Sequence, residues 1–143
     1  MPYLDALLEG EEPKRDEAFH RIVGEVVNQG DLHAGAAPVV DRILAFLRAQ
    51  GSLPENAWLV LDEIFRGASY GRTVSAPDGE YDIEEYCRRQ ILGEVEMISR
   101  WVAGLTGKTF FYYTLLLGSM GVFSAEVRAI LAREVATSTG ERR

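Results

Sequence analysis

The sequence predicts an all-α protein, a short right-handed α-α superhelix of about three stacked helical hairpins. Apolar residues recur at three- to four-residue spacing through most of the 143 residues, whereas strand-type alternation is hard to find over any useful length. Proline, glycine and capping residues interrupt these runs at lengths suited to helices. Hairpins start near residues 13, 54 and 108. The second interval contains a loop insertion of roughly a dozen residues, and without it the period is near 40, the length of a two-helix repeat.

The elements follow in order. Tyr3 to Leu8 is a short amphipathic opening, and Pro13 then sits where a helix can begin without losing a bond. Ala18, Ile22, Val23, Val26 and Val27 form its apolar face, and Asn28-Gln29-Gly30 ends it, with Gly30 the left-handed C′ residue. The next helix is apolar at Val39, Val40, Ile43, Leu44 and Leu47 and closes at Gln50-Gly51. Asp31 is its candidate N-cap, although Pro38 moves the regular start nearer Ala36. Ser52 and Glu55 have capping-box spacing before a third helix whose face is Trp58, Leu59, Leu61, Ile64 and Phe65. Gly67 to Tyr81, with Pro77-Asp78-Gly79 inside it, reads as a loop, and its length makes it a candidate binding loop.

The fourth helix is expected to be the longest, opening at Asp82 and apolar at Ile83, Cys87, Ile91, Val95, Ile98, Val102 and Leu105. Beyond Gly107, an almost wholly apolar helix from Phe110 to Met120 is expected to be buried. Ser124 and Glu126 open a sixth helix through Ile130, Leu131 and Val135. The expectation is one domain over 1–143, with an insertion near 68–81 and a flexible tail at 137–143. Its hairpins pair 13–28 with 36–50, 54–67 with 82–105, and 108–120 with 124–135. Such hairpins bury their apolar faces only by stacking.

Asp16-Glu17-Ala18, Asn28-Gln29-Gly30-Asp31-Leu32-His33, Ala36-Ala37-Pro38-Val39-Val40 and Ile43-Leu44-Ala45-Phe46-Leu47 together resemble the junction between the first helices of bacterial HEAT-like repeat proteins. Tyr112 to Gly118 followed by Ser124 to Leu131 looks like their final repeat. The resemblance implies a HEAT/armadillo-like, protein-binding α-solenoid with no established chemistry.

Charge and composition narrow the function classes. With 15 Lys+Arg against 22 Asp+Glu the net charge is −7, which argues against nucleic acid as the main partner, since phosphate binding rests on clustered cations. Residues 1–70 hold 6 basic and 12 acidic side chains, and 71–143 hold 9 and 10. The acidity therefore lies mainly in the first half, with one further acidic run from Asp78 to Glu85. A single cysteine suits a reducing compartment. The N-terminus lacks the pattern of a signal peptide, and Thr109 to Ala125, the longest uncharged stretch, is too short and interrupted for a membrane span. A cytoplasmic protein without a membrane partner is expected.

Few constellations could carry chemistry. His20 and His33 have no companions at metal-ligand spacing, and neither a metal nor a cofactor is expected. Cys87 lies on an apolar stripe with no base to generate a thiolate, so it reads as a small buried hydrophobe. Asp78, Glu80, Asp82, Glu84 and Glu85 alternate somewhat like a calcium loop, but Ile83 and Arg89 stand at two defining positions. Asp82, Glu84 and Glu85 read instead as an N-cap and the acidic first turn of a helix. Glu94 and Glu96 diverge around a helix, while Glu11-Glu12 and Asp62-Glu63 read as solvated. Gly107-Lys108-Thr109 matches only the end of a phosphate loop. Phe110 to Tyr113 reads as core, whereas Tyr70 and Tyr81 bracket the long loop as interface candidates.

The expected function is a non-enzymatic interaction module or adaptor that contacts a protein partner, with a basic one favoured by the charge, through Tyr70, Arg72, Asp78, Glu80 and Tyr81. An immunity- or antitoxin-like inhibitor of a basic protein is one form of it. The alternative is a small-molecule-binding or catalytic domain with a pocket between the 70–81 loop and the fourth helix. A nucleic-acid-binding solenoid would need Arg42, Arg48, Arg88, Arg89 and Arg100 on one face.

Overall fold

A computed structural model describes residues 2–28 and 30–94, together with 97, 98, 116 and 118. The described residues are mostly helical: α1 (Pro2–Glu9), α2 (Glu12–Val26), α3 (Ala36–Gln50), α4 (Glu55–Arg66) and α5 (Ile83–Gly93). They also contain four short strands, β1 (Val27–Asn28), β2 (Asp31–Leu32), β3 (Thr73–Ala76) and β4 (Gly79–Asp82), so the expectation of an all-α chain is corrected. No helix among the described residues is long and apolar enough to cross a membrane.

Helix-period patterning places the core as expected. Ile22, Ile43, Leu44, Leu47, Leu61, Ile64, Phe65, Ile83 and Cys87 are fully buried in one cluster. Two details of α4 differ. Val60 and the carboxylate-bearing Asp62 are buried, Leu59 only partly so, because the buried arc of α4 is wider than one helical stripe. Asp62 is therefore not solvated; it forms an ion pair with Arg66 at 2.8 Å, one turn away. Helix α4 also begins without the expected capping box: Pro54 is the cap residue and no side chain caps the end.

The helices pack as α2 along α1 and α4, and α3 along α5. Helix α3 thus has its main partner one hairpin away, and α2 packs on α1 before it and on α4 beyond it, rather than the two packing on each other as the predicted 13–28 and 36–50 hairpin. Part of the reason lies in the connection. Helix α2 stops at Val26, and β1 and β2 pair antiparallel, Val27 with Leu32 and Asn28 with Asp31. Gly30 does have the expected left-handed backbone, φ +80°, but it turns this ladder rather than ending a helix. Asp31 is correspondingly a strand residue and not an N-cap.

Gly67 ends α4 where only glycine fits: a Cβ there would lie 2.6 Å from Cδ2 of the fully buried Leu32. The close approach lets Ala68 bridge to Asp31, with Leu32 N–H donating to Ala68 O at 2.7 Å and Ala68 N–H to Gly30 O at 2.8 Å. The chain after α4 is thereby stitched to the α2–α3 connection before it enters the segment read as a loop.

That segment is in large part a β-hairpin. Strands β3 and β4 pair in the register Thr73–Asp82, Val74–Tyr81, Ser75–Glu80 and Ala76–Gly79, around the two-residue loop Pro77-Asp78. Helix α5 follows directly, with Asp82 as the expected N-cap accepting from Glu84 N–H and Glu85 N–H. It ends at Gly93 and is shorter than α2 or α3, so the expected longest helix is not continuous through Glu94. Glycine is a poor helix former, and Glu94 is drawn to Arg48 by an ion pair of 2.6 Å. Leu116 and Gly118 are helical. The rest of the fifth helix, the sixth helix, the third hairpin and the tail at 137–143 lie outside the described residues.

Candidate functional site

The β3–β4 hairpin and the turn that leads into it carry all five residues singled out from the sequence. Opposed residues of an antiparallel pair share a face, so Val74, Ala76 and Tyr81 lie on one side and Thr73, Ser75 and Glu80 on the other. The first set is half-buried and the second exposed, because the hairpin lies against α5 with its apolar face inward.

At the hairpin tip, the Tyr81 hydroxyl donates to Asp78 Oδ2 at 2.7 Å. This bond, helped by Arg89, holds the exposed Asp78 carboxyl below the usual carboxylate range. The Arg89 guanidinium lies 5.2 Å from the Tyr81 ring centroid and 3.9 Å from Asp78 Oδ2. The Tyr86 ring centroid is 6.3 Å from that of Tyr81, and its hydroxyl donates to both oxygens of Asp41 on α3, at 2.8 and 3.0 Å. Burial and the Asp41 carboxylate push the Tyr86 hydroxyl up to about 12. The Cys87 thiol beside it is also pushed up to about 12, mainly by burial. A thiol held protonated in an apolar core is not a nucleophile at neutral pH.

At the base, Arg72 N–H donates to Ser69 O at 3.1 Å across a turn whose central residues, Tyr70 and Gly71, have φ of +50° and +86°. Positive φ at both positions is the pattern of a type I′ turn. The turn is held on three sides. The buried Ser69 hydroxyl donates to Asp82 Oδ1, and Ser69 N–H to Glu84 Oε2 at 3.4 Å. Arg72 Nη1 donates to Asp31 Oδ1 and, at 3.0 Å, to Leu32 O. Ile83 N–H donates to Arg72 O at 3.0 Å. From this clamped turn Tyr70 projects with 80% of its surface exposed.

The structure therefore divides the five residues. Asp78 and Tyr81 are bonded to each other, Glu80 faces away and accepts from Thr73 Oγ1 at 2.7 Å, and Tyr70 and Arg72 stand at the opposite end of the hairpin. A four-residue strand separates the two ends by about 13 Å, too far for one constellation. An open groove of about 640 Å³ lies along α5, lined by Asp82, Glu84, Glu85, Arg88, Arg89 and Leu92; Tyr70, Arg72, Asp78 and Glu80 are not among its walls. Among the described residues no three His, Cys, Asp or Glu side chains come together as a metal-binding group.

Sequence reasoning missed Ser69, Tyr86, Arg88 and Arg89 as members of this region. Glu84 and Arg88 stand four apart with the acid first, the favourable helix order, and they do form an ion pair. Thr-Val-Ser-Ala before Pro-Asp-Gly also carried a hairpin signal, β-branched residues entering a strong turn. Comparison of the chain with protein-family models, with the curated proteins and with solved structures finds no match.

Proposed function

We propose that the chain is a non-enzymatic protein-interaction module that binds its partner through the clamped turn and hairpin at 69–81, with Tyr70 as the central contact. The observation that carries this reading is Tyr70 itself, a large aromatic 80% exposed on a backbone at φ +50°. A left-handed conformation costs a non-glycine residue on the order of 1 kcal/mol, and Tyr70 makes no compensating side-chain bond among the described residues. Ser69, Arg72 and Ile83 nevertheless hold the turn rigidly, which is the preorganisation that lowers the entropic cost of binding. Exposed tyrosines in such settings are frequent interface hot spots.

Asp78 and Glu80 stay exposed on the hairpin of a chain of net charge −7, which favours a basic partner and speeds its approach. An inhibitor of a basic protein, of the immunity or antitoxin kind, is the specific form of this proposal. A HEAT-like stack is its proposed scaffold, supported by packing of α2 on α4 and α3 on α5, the layering expected when successive hairpins stack. Arg42, Arg48, Arg88 and Arg89 each pair with an acid of this chain, so these four are not free to form the cationic face a nucleic acid would need. A reducing compartment such as the cytoplasm suits the single buried thiol.

The test is affinity capture from the native host with the wild-type chain, Tyr70→Ala and Glu80→Lys side by side. A stoichiometric partner that is retained by wild type and lost with Tyr70→Ala supports the reading. Identical captures from wild type and Tyr70→Ala would remove it.

A further inference from the structure

Among the described residues the outer edge of β3 has no strand partner, and beyond its four-residue length and the proline that follows, it carries no charge or bulge to protect it. Ile83 N–H donates to Arg72 O, so in the observed register the hydrogen-bonded pairs are Arg72–Ile83, Val74–Tyr81 and Ala76–Gly79. Thr73 and Ser75 between them point their backbone N–H and C=O away from β4, and these groups have no partner among the described residues. Both residues are exposed. Natural edges are blunted by lysine, an inward charge, a bulge or proline, whereas β3 reads Thr-Val-Ser-Ala, uncharged and regular up to Pro77.

We propose that this edge pairs with the same edge of a second copy of the chain, joining two hairpins into one antiparallel four-stranded sheet. The edge is self-complementary about Val74. A two-fold axis at that residue sets Thr73 of each copy opposite Ser75 of the other, and the two positions exchange four backbone hydrogen bonds. Val74 then meets its own counterpart at the axis as an apolar cross-strand pair, and hydroxyl side chains meet on the outer face. The same register sets Arg72 opposite Ala76 of the second copy, with the exposed Asp78 two residues further along. Arg72 uses Nη1 for Asp31 and Leu32 O, so Nε and Nη2 remain for that carboxylate. The two Glu80 carboxylates stand on the outer strands, three strand spacings or about 14 Å apart and beyond the screening length at physiological salt. The pairing uses the same hairpin as the proposed partner binding but not the Tyr70 side chain, so Tyr70→Ala, which should lose the partner and keep the self-association, distinguishes the two.

Sedimentation equilibrium of the full chain, from about 10 µM to about 1 mM, tests the proposal in the range where so small an interface associates. The expected result is a mass rising with concentration from 15.9 kDa toward twice that value. Amide exchange should show Thr73 and Ser75 N–H gaining protection over the same range. Ser75→Pro removes an outward N–H without touching the bonds to β4, and Ser75→Lys places two ammonium groups near the axis; both variants should stay at 15.9 kDa with wild-type thermal melts. A wild-type chain that remains monomeric at the highest concentration overturns the proposal. So does a dimer that forms equally well with Ser75→Lys and leaves the two amides unprotected.

Discussion

Arg88 Nε, on α5, donates at 2.9 Å to the carbonyl oxygen of Phe65 in the last turn of α4. Its Nη2 donates to Gly67 O at 3.3 Å, Nη1 binds Glu84, and the guanidinium lies 5.7 Å from the Phe65 ring centroid. One side chain thus satisfies carbonyls that the end of α4 leaves without helical partners, and it fixes α5 against that end. The clamped turn of Tyr70 begins two residues beyond Gly67, so the same contact supports the proposed binding surface.

Arg88→Lys should therefore destabilise the fold by about 2 kcal/mol, since an ammonium cannot fork to two carbonyls and a carboxylate at once. Urea unfolding should show a lower midpoint at an unchanged slope. The turn at 69–72 should exchange its amides faster than in wild type.

Gly67→Ala forces a methyl group to within 2.6 Å of Leu32 Cδ2. Leu32 is fully buried and cannot swing clear, so the expected cost is about 1–3 kcal/mol. Leu32→Ala alone is also destabilising, but the double variant should be more stable than the sum of the two losses predicts. A double-mutant cycle in urea measures that coupling.

Tyr70→Asn should separate stability from function. Asparagine tolerates the left-handed region better than tyrosine, so thermal stability should rise by roughly 0.5 kcal/mol while partner capture falls. A variant that is both less stable and fully binding would contradict the role given to Tyr70.

Alkaline pH should destabilise the protein through Cys87 and Tyr86. Both hydrogens are held more tightly in the folded state, at about 12 against ordinary values of 9.0 and 10.0. The unfolded chain therefore releases protons first, and the stabilising contribution, fully present below pH 9, is lost as pH climbs from there through about 12. Cys87→Val should flatten the first part of this decline in pH-dependent melts. At pH 8 the wild-type thiol should react with iodoacetamide only after denaturant is added.

Several of these groups were visible in the sequence and others were not. Asp82 caps α5 and Cys87 sits on a buried stripe because each role depends on neighbours within one turn of helix. Asp62 looked solvated beside Glu63, yet it lies in the buried arc of α4, since the width of that arc depends on which helices close over it. Tyr81 and Tyr70 bracketed a candidate loop in the sequence, but the sequence did not show that one would be bonded to Asp78 and the other left projecting. The hairpin itself was overlooked because two short strands, one of them half polar, present too few alternating residues to stand out against helical periodicity.

The sequence by itself determined the helices at 12–26, 36–50 and 55–66 and the start of α5, most of their buried faces, the turn residues at Gly30, Gly51 and Gly79, and the acidic balance, all of which rest on interactions across a few residues or on composition. Tertiary structure alone decided that α2 packs with α4 and α3 with α5, that Arg72 reaches Asp31 across 41 positions, and that Arg88 closes the end of α4. Those contacts join groups whose spacing along the chain carries no local signal. They form because the packed core brings the groups together, and the same packing leaves Tyr70 and the edge of β3 facing outward.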